Sequence, residues 1–463
     1  MAILLSDNLQ NNSPKPLDAK YLNGVTPWAS VAAANAGIAL TERSIGLTVN
    51  INNVEYWYAA GITNSDLVIK SGGSGSLPIV RYVYLVQDAS DATKMGGTLN
   101  NVYTTFQSAY NAANVLQVSL GGSNIVVVQV GNITAAAAGD LTLTSNYNRF
   151  VQFSGISIVS SVLGNIIATN SSGNGYTVGN GTLQPVFFTN IRIGNINTNA
   201  TGISGNSGNV SLRVNSVQVG NIDTSITNVT NTTGNGGSFT YNVNTNNFAV
   251  FGNITTSSQG SLSSAGSVSI SSSNFVFSNI TTSNGNQGGV ISIDASSGRF
   301  LGTSITINTT STVSANILTL RNGNVNNINV TSDKNINITN CTLISATFSN
   351  SIIQNTLNIV SSIISGVLTT NPLTKSIIKL SSLSNIINLG DDSFIVNTVV
   401  DFQNTVTPAI NGIGSNCTIV NSSILGGSLS IDNSTPQIVQ ISGVSSTPLI
   451  YIQNTIGVNI TLA

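Results

Sequence analysis

The sequence predicts an all-β fold of stacked parallel strands, and three observations predict it. A short phrase returns six times, as "VGNIT" at 130, "LGNII" at 163, "IGNIN" at 193, "VGNID" at 219, "FGNIT" at 251 and "FSNIT" at 277. The sequence between the copies is rich in Val, Ile, Thr, Ser, Asn and Gly and nearly lacks the residues that stabilise helices. Beyond residue 111, short apolar alternations such as "SVSISSSNFVFSNI" are separated by clusters of Ser, Asn, Thr and Gly, the pattern of strands punctuated by turns.

The repeated polar members are Asn132, Asn165, Asn195, Asn221, Asn253 and Asn279. Their loose period, roughly 26 to 33 residues, marks stacked supersecondary units joined by loops of varying length. Parallel stacking would set each Asn over its equivalent, where side-chain amides donate and accept along a buried structural ladder. Gly before the Asn would permit a bend, and Ile after it would point inward. On this reading, Asp in place of Asn221 or Asn253 is expected to cost about 1 to 3 kcal/mol, whereas Asn174, in a turn-like stretch, should tolerate it.

At 463 residues with 40% apolar composition, the chain can build a core. Lys and Arg together number 14, Asp and Glu 15, and the net charge is −1, which excludes a basic footprint for nucleic acid or a polybasic membrane patch. Thirteen of those charges, both Trp and seven of the eleven Tyr precede residue 112, so composition marks a domain boundary. Cys341 and Cys417 read as small buried hydrophobes. With no His and no Cys cluster, no metal and no cofactor are expected. The opening "MAILLSDNLQ" has neither the basic start nor the long apolar run of an export signal, and no stretch has membrane-spanning length.

Residues 1–74 form a first, α/β module. "SVAAANAGI" predicts a short helix, and "IGLTVNI" and "VEYWYA", joined by "NN", predict a hairpin. The run "SGGSGS" at 71–76 reads as a flexible joint. The stretches "PLDAKYLNG", "PWASVAAANAGI" and "IGLTVNINNVEYWYAAGITNSDLVIKSGG" together resemble the N-terminal virion-attachment module of appendage proteins (tail fibre, tailspike or head fibre) in tailed phages of Bacteroidota, crAss-like phages included. That resemblance is confined to this first module. It implies a homotrimer, made in the host cytoplasm and fixed to the virion through residues 1–74, with an exchangeable distal part. Trp28, Tyr56, Trp57 and Tyr58 are the candidates for the attachment interface, since exposed aromatics beside mixed charge suit a protein contact.

Residues 75–124 are read as linker and capping segment, with Val102, Phe106, Ala109, Tyr110, Ala113 and Leu116 on one face of a helix that covers the first strand. The following sequence resembles the right-handed parallel β-helix of phage tailspikes, which would occupy residues 125–463. About 29 residues per coil would give about 11 to 12 coils and a length of about 55 Å.

Many phage β-helix spikes are depolymerases that cleave host polysaccharide, so the alternative to a purely structural host-attachment fibre is an enzyme. A glycosidase needs two opposed carboxylates. Beyond residue 124 the sequence has Asp140, Asp223, Asp294, Asp333, Asp391, Asp392, Asp401 and Asp432 and no Glu. The adjacent Asp391 and Asp392 read as a turn, and a Ser-His-Asp site is impossible without His. The chain is therefore expected not to be an enzyme, with receptor binding as its role. A groove between subunits is left open as a site for host surface glycan, while nucleic acid and membrane insertion are not expected.

Overall fold

The computed structural model describes residues 27–52, 54–70, 81–88 and 101–179, then most of 185–401, and from 410 to 462 little beyond the strands. The stretch "PLDAKYLNG", the joint at 71–76, Asp333 and Asp391 lie outside the described residues. The chain divides into two units, Met1–Ile79 and Val80–Ala463.

In the first unit a helix, Val31–Gly37, starts at Ser30, whose side chain accepts from the Ala33 N–H. An antiparallel meander follows, made of strands Thr48–Ile51, Val54–Tyr58 and Leu67–Ile69. Asn52, at the hairpin turn, takes the left-handed backbone that tight turns demand and Asn tolerates. Alternation sends Leu47, Val49, Ile51, Tyr58 and Leu67 onto Ala34 and Ile38 as a small core. Arg43 is buried within this unit. Its guanidinium donates to the carbonyls of Asn35, Ile38 and Ile62 and to Asn64 Oδ1, and lies 5.3 Å from the Tyr58 ring centre. One charged side chain thus ties together helix, loop and sheet, and the apolar pattern gives no hint of it.

The second unit is a long parallel sheet. Its first strand is Arg81–Leu85, which pairs in parallel with both Val102–Tyr103 and Val126–Val130. The sheet therefore begins ahead of the capping helix, within the stretch read from sequence as linker. The helix itself, Phe106–Leu120, is capped by Thr105 and buries Phe106, Ala109, Tyr110, Ala113 and Gln117. Leu116 packs at the margin of the core. Under it, Phe106 meets Phe153 edge-on at 5.1 Å, and Tyr110 meets Tyr147 at 4.9 Å. Gln117 is fixed by the Asn148 amide, 2.8 Å away, so a polar side chain sits in the seam without an orphaned oxygen.

From there each strand pairs in parallel with its counterpart one repeat later. Among the described residues, one succession runs unbroken through sixteen strands from Arg81–Leu85 to Val458–Leu462. Fifteen strand spacings extend about 70 Å, more than the repeat length in the first half of the sequence suggested. Repeats shorten down the chain because strands merge. Phe248–Phe251 and Ile254–Thr255 are separate, yet both pair with the single strand Asn274–Asn284. The loops between strand positions shrink accordingly.

Register makes identical columns. Leu141, Ile166, Ile196, Ile222, Ile254, Ile280, Ile305 and Ile328 stack in one inward column, all buried. Each contributes about 1.5 to 3 kcal/mol by leaving water. At two positions a ring is followed in the next tier by glycine: a Cβ added to Gly302 would strike the Phe277 ring, and one on Gly323 the Phe300 ring. Phe275 and Phe300 stack at 5.6 Å and 17°.

One corner of the sheet is a column of left-handed residues. Asn190 and Ser216 each follow directly on a register pair there, as do, further on, Asn322, Asn340, Ser361, Leu380 and Asn397, with φ between 49° and 62°. Asn suits this backbone, and Leu380 does not. Leu380 is also 61% exposed. Leu380→Asn should therefore raise stability by about 1 kcal/mol, and Leu380→Val should lower it, read as denaturant midpoints. A lower midpoint for the Asn variant would contradict this account of the corner.

Candidate functional site

Five of the six recurrent Asn residues lie at the entry to the third strand position of their repeats. Asn165 Oδ1 accepts the Asn195 N–H at 2.8 Å, Asn195 Oδ1 the Asn221 N–H at 2.8 Å, and Asn221 Oδ1 the Asn253 N–H at 2.9 Å. Asn253 Oδ1 then accepts from the Asn279 amide at 2.7 Å, and Asn279 Oδ1 from the Ser304 hydroxyl at 2.6 Å. Asp140 heads the series, accepting both the N–H and the side-chain amide of Asn165. Asn327 and Ser345 continue it in register, joined at 2.7 Å.

Three features differ from the sequence reading. The series is not buried, because Asn195, Asn221 and Asn253 are exposed and Asn165 and Asn279 half-buried. Between Asn165 and Asn253 its donors are backbone N–H groups, so the side-chain carbonyl carries the contact. Asn132 belongs elsewhere: its neighbour Val130 pairs with Gly155 and Ile133 bridges Ser161, so it occupies another column and its own carbonyl accepts the Gln87 N–H. The preceding glycines serve close approach. A Cβ on Gly194, Gly220 or Gly252 would lie 2.6 Å from the Asn oxygen of the tier before, and none of these glycines has a positive φ.

The four candidate aromatics, Trp28, Tyr56, Trp57 and Tyr58, differ in placement. Tyr58 is fully buried and donates to Asn35 Oδ1 at 2.8 Å. Burial raises its phenol pKa, an effect that Arg43 opposes. Tyr56 and Trp28 pack against the same core, Trp28 with its ring on Gly37. Full burial of Tyr58 corrects its assignment to an attachment interface, whereas Trp28 and Tyr56 are half-buried against the core. Trp57 lies on the other face of the meander, in register with Thr48 and with Val68, which is 43% exposed. Glu55 and Lys70, on the same face, form an ion pair at 3.4 Å. Leu40, Ile45, Val54, Ile62 and Ile69 are further exposed apolar side chains of this unit.

Three described carboxylates have structural partners. Asp140 heads the Asn series, Asp223 accepts from the Asn199 amide and the Ser225 N–H, and Asp294 lies 3.7 Å from Arg321. Among the described residues, no three His, Cys, Asp or Glu side chains gather as a metal site, and no helix is long and apolar enough to cross a membrane. Both cysteines are buried and free. Burial pushes the Cys341 thiol up to about 11, against weaker opposing hydrogen bonds.

No family model, no curated protein and no solved structure matches the chain.

Two outcomes follow from this geometry. Asn221→Asp keeps the acceptor and should change stability by less than about 0.5 kcal/mol, whereas Asn221→Ala leaves the Asn253 N–H to water and should cost about 0.5 to 1.5 kcal/mol by chemical unfolding. Cys341 is held protonated in the folded chain. Its contribution is full below the ordinary thiol value of 9.0 and is lost as pH rises towards about 11. The stability difference between wild type and Cys341→Ala should therefore narrow across that interval; a constant difference would contradict a buried thiol.

Proposed function

We propose that the chain is a structural appendage of a tailed-phage virion, a homotrimer anchored through residues 1–74 whose second unit projects towards the host surface. On this reading the second unit is a right-handed parallel β-helix. The supporting features are parallel pairing of each strand with its counterpart one repeat on, inward columns of like residues, and a helix over the first strands. A charge-poor surface of Ser, Thr and Asn suits a spacer that must stay soluble outside the cell without binding indiscriminately.

The observation that carries the anchoring role is the outward face of the first unit, where Trp57 and Val68 stand side by side in so small a fold. A half-buried Trp beside the exposed Val68, with a flanking ion pair, has the composition of a contact centre with a polar rim. Structural partners for Asp140, Asp223 and Asp294 favour the attachment reading over a polysaccharide-cleaving one.

Light scattering on the full chain should give a mass about three times 47.7 kDa. Trp57→Asp together with Val68→Asp should abolish incorporation into particles while leaving the unfolding midpoint nearly unchanged. Particles that carry the double variant at the wild-type level would refute anchoring by this face.

A further inference from the structure

We infer that the outer surface around Phe394 is a binding site for an anionic sugar residue, an inference that rests on the host-attachment reading and names the ligand chemistry and the place. The observation is a concentration of chemistry on an otherwise bland surface. Two of the three lysines beyond residue 124, Lys375 and Lys379, lie on one strand. They line a depression of about 430 Å³ with Ile377, Asp392, Phe394 and Thr418.

Strand geometry sets the spacing. Lys375, Ile377 and Lys379 alternate with the buried Ser376 and Ile378, so all three point outward. Four residues of extended chain separate the two lysines by about 13 Å, enough to admit a pyranose ring between them. Ile377 is the register partner of Phe394, and Phe394 that of Thr418. A half-buried ring therefore sits in the middle of the site, with an ammonium group 5.9 Å from its centre. Among the described residues neither Lys375 nor Lys379 is in an ion pair with a carboxylate.

The platform is rigid. Ser393, buried between Asp392 and Phe394, accepts the Ser376 N–H at 2.9 Å and donates to the Gly390 carbonyl at 2.6 Å. The Ser393 carbonyl in turn accepts the Thr418 N–H at 2.9 Å. Asp392, in a left-handed conformation with φ 54°, is exposed at the rim. These parts match an acidic sugar: the ring face offers its apolar C–H side to Phe394, the sugar's acid group meets a lysine, and Asp392 and Thr418 accept from or donate to hydroxyls. A neutral sugar would leave the lysines without a role, and a simple polyanion would leave the ring without one.

The test uses the full-length chain and calorimetric titration with oligogalacturonate, a neutral oligoglucan and inorganic polyphosphate. Oligogalacturonate should bind, and Lys375→Ala with Lys379→Ala, or Phe394→Ala alone, should each weaken it at least about tenfold, while Phe394→Trp retains it. Circular dichroism confirms that each variant is folded. Absence of binding at about 10 mM oligogalacturonate overturns the site. Equal affinity for the neutral oligoglucan, or polyphosphate binding as tight as oligogalacturonate and indifferent to Phe394→Ala, also overturns it. Particle incorporation is scored separately: its loss on mutating Trp57 and Val68 concerns the anchor alone, so either reading can fail while the other stands.

Discussion

Parallel hydrogen bonding in strict register is the constraint from which the rest of the second unit follows. Once a strand is held about 4.8 Å above its predecessor, every side chain lies over its equivalent and each column must tolerate self-stacking. Branched aliphatics meet that condition inward, as in the run from Leu141 to Ile328. Amides meet it at the outer edge, where an Asn carbonyl can take the N–H of the tier above. Charge does not meet it, because like charges in one column repel at every step. The scarcity of ionised residues beyond residue 111 is thus a consequence of the architecture as much as a property of the surface.

Close approach and backbone handedness complete the corner chemistry. Gly194, Gly220 and Gly252 are small because the preceding tier's Asn oxygen occupies the space of a Cβ. At Ser278 the glycine is gone, and there the two strand positions run together as Asn274–Asn284. The turn on the other side of the short second strand is made by single left-handed residues, which explains why Asn recurs in places that the repeated phrase does not cover. Asn thus serves two corners for two reasons: one exploits its carbonyl, the other its tolerance of positive φ.

Much of this was legible in the sequence, and the failures have physical causes. The phrase with Asn and Ile located the third strand position at Asn165, Asn195, Asn221, Asn253 and Asn279, because one side chain both accepts the bond and precedes a buried Ile. Asn132 carries the same phrase in another column, since a phrase records composition whereas register depends on intervening loop length. Asp140, Ser304, Asn327 and Ser345 escaped notice because a carboxylate, a hydroxyl and an amide can each occupy the same polar position. In the first unit the helix and hairpin were readable from alternation. The fate of Tyr58 was not, because a Tyr whose hydroxyl finds Asn35 buries as readily as a Phe. Trp57, one residue earlier, takes the outward face by the same period of two.

The central claim is the register itself, and a spin-label distance tests it most directly. Thr240 and Ser269 are register partners on the outer face, one repeat apart in the chain. With nitroxides at Thr240→Cys and Ser269→Cys, and with the native thiols buried, the account predicts strong dipolar broadening from backbones about 5 Å apart. Moving the second label to Ser292, one tier further, should weaken the broadening without abolishing it. A Thr240–Ser269 pair no broader than the two single-label spectra summed would contradict the in-register parallel sheet.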